Sequence, residues 1–463
     1  MRLPYTSEIN EDQNAGICNK CNWPRFRIKH LLREIDLRTE NGMEPLFSMR
    51  QTKGLIIHSE VSDKPIKYED LVGYKIVRPG LIVMNRMRAS IGLFAASYSH
   101  GLVSPDYAVF QPQKPVNLDY LVRFFQTPLM KTIFRKESKG MGTGSSGFLR
   151  LYTDRFGAIP ISLPPLAEQN HIVDVVKSLD RKISRFLRNK RRLIRLLKEQ
   201  KQNIINRTVT RGLDPKVKLK PSGVEWLGDI PEHWEIKRLK NITQNINDQT
   251  MNKNSRETYI ALEHVEPWTG RILFSEVDAP IDSQVKCFQK EDILFGKLRP
   301  YLAKVASPCC SGVCVGEFLV LRSIDKRIAP KFTEYKLRSK SIIDLVSSST
   351  YGAKMPRADW EFIGNIRFSY PPKDEQQLIV DYIDSKSLEI DRAISRAERE
   401  IELMTEYRTR LISDVVTGKV DVRDIDVPEI SEEELLAPEE EAEGEEGLSE
   451  VEIPGDEDGE ADE

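Results

Sequence analysis

The residue types able to do chemistry are few and badly placed for it. Cys18 and Cys21 have the C-x-x-C spacing of half a zinc site, but Cys287, Cys309, Cys310 and Cys314 are too distant and irregular to complete a tetrahedral set. Six cysteines in 463 residues are also too sparse for a disulfide framework, so reduced thiols are expected. The histidines (His30, His58, His100, His171, His233, His264) are scattered singly, none beside an evident nucleophile. Gly142, Gly144 and Gly147 satisfy G-x-G-x-x-G, yet they follow a helical pattern where a dinucleotide site needs a strand. Pro105 and Asp106 open a nuclease-like pair with no acid-x-Lys behind it. No P-loop, H-E-x-x-H or G-x-S-x-G occurs, so no active site is expected.

The cations are better placed. Arg86 and Arg88 fall in a turn after an apolar run (LIVMNRMRASIG), and Lys297 and Arg299 fall in a second such turn (DILFGKLRPYLA). Arg150, and Lys354 with Arg357, close two polar stretches, KGMGTGSSGFLR and SSSTYGAKMPRADW. Bare amides in such stretches can approach phosphate oxygens, and guanidinium groups can fork onto guanine or pair with phosphate. A solvated turn and a plain hinge are the competing structural readings.

Charge supports a polyanionic partner. Residues 429–463 hold eighteen Asp and Glu and no Lys or Arg, so the near-neutral total conceals a net +16 on the first 428 residues. A like-charge block without aromatics cannot bury enough surface to offset its ordering entropy, and a disordered tail is expected there. The basic body points to nucleic acid.

A chain of 463 residues holds about three domains' worth of structure. With 40% hydrophobic and 30% charged residues, wholesale disorder is excluded. No apolar run approaches the roughly 18 residues of a membrane span, and the N-terminus lacks a secretory signal, so a cytoplasmic protein without membrane partners is expected.

The chain contains itself twice. A shift of 207 residues superposes PPLAEQNHIVDVVKS (164–178) on PPKDEQQLIVDYIDS (371–385), and 20 of 54 positions are identical between 157–210 and 364–417. Upstream the two turns described above align at a shift of 211. A period this long excludes a solenoid and indicates a duplicated unit, a mixed region followed by a long helix. The mixed regions alternate short apolar runs with Pro and Gly, and each adds a helical stretch (118–136 and 332–348), which gives an α+β class.

After Pro164 and Pro165, apolar residues recur at Ile172, Val176, Leu179, Ile183, Phe186, Leu193, Leu197 and Ile204, with Lys190 and Gln200 interrupting. This is the 4-3 spacing of a coiled-coil seam, stopped by Gly212 and Pro215. The second copy repeats it at Ile379, Ile383, Ile390, Ala393, Ala397, Met404, Tyr407 and Leu411. A single apolar stripe of about 44 residues needs a partner, and the natural one is the other copy. Residues 177–220 carry +13 and residues 384–423 carry −1, so pairing of unlike helices is favoured over self-pairing. An entire domain separates the two helices, so they can lie antiparallel.

Together with SGVEWLGDIPEHWEIKRLKNI (222–242) and LISDVVTGKVDVRD (411–424), these motifs resemble the specificity subunits of Type I restriction-modification enzymes. The resemblance spans most of residues 20–424. It implies two similar target recognition domains (1–163 and 213–370) separated by a pair of long antiparallel coiled-coil helices (164–212 and 371–424), pseudo-two-fold; the acidic tail expected to be disordered (425–463) lies outside the family core. It further implies that each domain reads half of a bipartite double-stranded DNA target and that two methylation subunits, with restriction subunits, dock on this chain. S-adenosylmethionine, ATP and Mg would belong to those partners, with no cofactor in this chain. No N-P-P-[YF] methyltransferase motif occurs. The first copy departs from the pattern by lacking the G-x-E-W segment found at 223–231. The competing class is a coiled-coil scaffold whose basic helix binds an acidic protein; a self-contained nuclease is a third.

Overall fold

A computed structural model describes residues 23–51, 53–62, 66–141, 148–250, 258–273, 284–352 and 355–427. Cys18, Cys21, the 142–147 glycine segment, Lys354 and the acidic tail from residue 428 onward lie outside the described residues, whereas Ile425 and Val427, at the start of the stretch expected to be disordered, pack against the first core. The chain divides into two compact units, one running to Phe186 and resuming at Met404, the other Leu187–Leu403.

The first unit is built on an antiparallel sheet of β1 (Leu32–Ile35), β2 (Leu81–Asn85), β3 (Phe94–Ser97) and β4 (Tyr107–Pro112), in the order β1-β4-β2-β3. The helical stretch that follows splits into α1 (Leu118–Phe125) and α2 (Pro128–Glu137). Pro128 disfavours the helical conformation at Thr127, which instead caps α2 by accepting from the Met130 amide. Apolar faces of both helices meet the sheet through an aromatic cluster in which Phe94 lies 4.9 Å from Phe125 and 5.1 Å from Phe134. The long helix α3 (Leu166–Arg211) then begins.

The second unit repeats this plan with β5 (Thr243–Ile246), β6 (Ile293–Gly296), β7 (Val305–Ala306) and β8 (Phe318–Ser323), ordered β5-β8-β6-β7. The register repeats as well: Ile82 faces Phe110, and Ile293 faces Leu321. Helices α4 (Pro330–Leu337) and α5 (Lys340–Ser348) precede the second long helix, α6 (Lys373–Val416). In each unit the entering strand pairs with the leaving one, Arg25–Arg27 with Pro160–Ser162 and Glu235–Arg238 with Arg367–Tyr370.

The P-P-x-x-E-Q motif has a structural explanation. Gln169 is buried, donates to the Pro164 carbonyl at 2.8 Å and accepts from the Asn117 amide at 2.9 Å. Gln376 does the same with Pro371 and Ala329, both at 2.8 Å. One amide thus satisfies a carbonyl at the start of a long helix and an N–H at the start of a domain helix, fixing their mutual angle.

Within each unit the long helices run antiparallel. In the first, Ile172 and Val176 share a core with Leu411 and Val415, and Arg408 donates to Asp180 at 2.6 Å. In the second, Ile379 and Ile383 share a core with Ile205 and Val209, while Lys190 pairs with Glu400 (2.5 Å) and Lys201 with Asp391 (2.7 Å). Five expected seam positions shift by one residue. Leu193 is 42% exposed and Tyr407 47%, and their neighbours Ile194 and Arg408 turn inward. Likewise Leu187, Ile394 and Ile205 are buried where Phe186, Ala393 and Ile204 are half-buried. The seam is an unbroken 4-3 series, 183-187-190-194-197-201, in which Lys190 and Lys201 are members and not interruptions. Accepting only apolar side chains displaces the reading by one residue, because the lysine stems lie along the seam while their ammonium groups reach carboxylates on the other helix.

Candidate nucleic-acid interface

The turns carrying the candidate cations and the segments carrying Arg150 and Arg357 are distant in sequence, and the fold brings them together in both units. The Leu151 amide donates to the Arg86 carbonyl at 2.9 Å, and the Ala358 amide to the Lys297 carbonyl at 2.9 Å. These are the same bond in the two copies, since 151 and 358 differ by 207 and 86 and 297 by 211. Beside it lies a repeated ion pair. Arg150 Nη2 donates to Asp106 Oδ1 at 3.1 Å, and Arg357 Nη2 and Nε reach the two oxygens of Glu317 at 3.0 and 3.3 Å. Asp106 and Glu317 occupy equivalent turns leading into β4 and β8. The residue that sequence inspection paired with Pro105 as a nuclease fragment is therefore an arginine partner. Its signal was present in the alignment at a shift of 211, which sets Asp106 over Glu317.

The candidates separate by what they touch. Arg86 is held by Glu34 at 2.5 Å, and Thr153 donates to the other oxygen of that carboxylate at 2.5 Å. Lys297 lies 4.0 Å from Glu317, whose backbone carbonyl also accepts the Lys297 amide at 3.0 Å. Hydrogen bonding to Glu317 raises the Arg357 pKa above its usual value and keeps the guanidinium charged. Arg88 and Arg299 are exposed, with no carboxylate partner among the described residues. The Asn85 side chain accepts from the Met87 and Arg88 amides (3.0 and 3.1 Å) and so shapes the first turn. In the second, Arg299 adopts a left-handed φ of 51°, stabilised by its amide donating to the Pro356 carbonyl at 2.8 Å. Exposed Tyr301, Tyr351 and Met355 flank this edge. No group of three or more His, Cys, Asp or Glu able to hold a metal occurs among the described residues. Nor is any helix there long and apolar enough to cross a membrane.

A model of the Type I restriction modification DNA specificity domain matches this chain twice, over residues 31–194 and 231–402. The chain belongs to that family. The Type I restriction enzyme MjaVIII specificity subunit of Methanocaldococcus jannaschii is 24% identical over 332 residues, covering 68% of this chain and 73% of the relative. The putative type I restriction enzyme MjaX specificity subunit of the same organism is 24% identical over 380 residues, covering 77% and 82%. Two solved structures share the fold. One, from work on complex assembly and conformational transition of the type I R-M system, spans 88% of this chain and 100% of its own at a TM-score of 0.66 and 14% identity. The other, the HsdS subunit from Thermoanaerobacter tengcongensis, spans 87% and 97% at 0.50 and 14%. Specificity subunits determine the DNA target and are non-catalytic, in keeping with a sequence that holds none of the catalytic motifs sought. The two units each carry one recognition domain, and specificity subunits act by binding DNA and assembling with the other restriction-modification subunits.

Proposed function

We propose that this chain reads a bipartite duplex DNA target, one half-site per recognition domain, and holds two methylation subunits, with restriction subunits joining them. The observation that carries the reading is the repetition, on two sheets of identical strand order, of the same cation-bearing edge. Arg88 and Arg299 are the exposed cations assigned to DNA, with Arg86, Arg150, Lys297 and Arg357 lining or supporting the same edges, and Lys354 is assigned to DNA from its place in the sequence alone. The +16 body supplies sequence-independent attraction to phosphate. S-adenosylmethionine, ATP and Mg are assigned to the partner subunits, and the complex to the cytoplasm.

The test is to map modified bases in cells carrying this chain with its methylation subunit. A split sequence with a fixed unread gap supports the reading; lengthening both α3 and α6 by one turn should change that gap. Salt-sensitive binding without sequence preference would instead favour a scaffold role.

A further inference from the structure

We propose that Asp106–Arg150 and Glu317–Arg357 are positioning clamps, each setting the base selectivity of its own half-site; the inference rests on the reading above. An ion pair as accessible as these contributes little to stability, so the fold itself does not require either one. A carboxylate at an edge that meets phosphate is also unfavourable for binding unless it is neutralised. Both copies nevertheless place an acid at the same turn and an arginine at the same distance ahead of the twin prolines. The pairing is not a chance surface contact, because the adjacent backbone bonds from Leu151 and Ala358 tie the same segments together.

Each clamp joins three pieces of chain: the turn after the second core strand, the turn before the fourth, and the segment that closes the Gly- and Ser-bearing stretch. In the second domain the junction is closed further, since Leu298 and Tyr351 both bridge to Arg357. The guanidinium groups are committed to this task. Arg357 spends Nε and Nη2 on Glu317; Arg150 spends Nη2 on Asp106 and lies 5.8 Å from the Tyr152 ring, and its Nε is buried. Arg150 and Arg357 are accordingly positioning residues that hold the turns of Arg88 and Arg299 in place.

The experiment uses the whole methyltransferase complex carrying Asp106→Asn or Glu317→Gln, with modified bases mapped across a genome. Each variant should relax one half of the target and leave the other unchanged, the two variants affecting opposite halves. Methylation of sites mismatched in the affected half should rise about tenfold over the unaltered chain. Reversed pairs, Asp106→Arg with Arg150→Asp and Glu317→Arg with Arg357→Glu, should restore selectivity. Unchanged maps, blurring of both halves together, or loss of all methylation that the reversed pair does not rescue would overturn the clamp. A split target that stays intact in every variant defeats the clamp alone, whereas an unaltered chain that directs no split target defeats the functional reading beneath it.

Discussion

The indole nitrogen of Trp23 lies 3.2 Å from Glu168 Oε2, in the first turn of α3, and Trp234 makes the same bond with Glu375 Oε1 in the first turn of α6, also at 3.2 Å. The first copy lacks the G-x-E-W segment, yet its N-terminal tryptophan reaches the same anchor. The ring of Trp23 also covers Gly418, just beyond the end of α6, so the first unit is closed by the far end of the second helix.

Gly418→Ala tests that closure. The residue has φ 75°, and an added Cβ would lie 2.6 Å from the Trp23 ring. Left-handed backbone strain and this overlap together should cost about 1–3 kcal/mol, measured as a lower denaturation midpoint of the first unit.

Gln376→Leu removes an amide that donates to the Pro371 and Arg327 carbonyls and accepts from Ala329. Buried backbone groups left without partners should cost about 3 kcal/mol by urea unfolding. Gln376→Glu should also destabilise, because it substitutes an acceptor-only carboxylate for the donor.

Lys336 makes the second unit sensitive to pH. Its ammonium is fully buried, donates to the carbonyls of Val209 (2.9 Å) and Ser369 (2.5 Å), and faces the rings of Trp234, Phe332 and Phe368. In the first unit the equivalent carbonyl, Val416, is capped by the Tyr120 hydroxyl at 2.9 Å. Burial lowers the Lys336 pKa to about 7. Between that value and the ordinary 10.5, the unfolded chain binds a proton that the folded one does not, so stability rises with pH through this window and the burial penalty is full below it. The rise should approach 1.4 kcal/mol per pH unit, roughly, in the second unit's unfolding transition, and Lys336→Met should flatten it.

The seam charges set pairing more than stability. Glu400→Lys, facing Lys190, should cost about 1 kcal/mol at low salt and less at 0.5 M, read by thermal unfolding. Replacing both residues with leucine should leave stability equal or higher.

The acidic tail, outside the described residues, competes with DNA for the basic body if its eighteen carboxylates act as a tethered polyanion. A chain shortened to end at Asp426 should bind nonspecific DNA more tightly at low salt. Unchanged affinity would refute the competition.

The duplication, the two long helices, the α+β class and the family resemblance were legible in the primary structure because each depends on local periodicity or on similarity between two stretches of one chain. The seam was legible only to within a residue, since an aliphatic stem ending in a charge does not announce which way it turns. Arg86, Arg150, Lys297 and Arg357 could be picked out as cations, but not Glu34, Asp106 and Glu317 as the carboxylates that hold them. Those pairs span 20 to 52 positions and exist only after the strands have set their order and register. Sequence alone determined what repeats and where positive charge resides. Tertiary structure decided which cations are occupied and which remain exposed, because burial and long-range pairing are properties of the packed sheet and not of any segment.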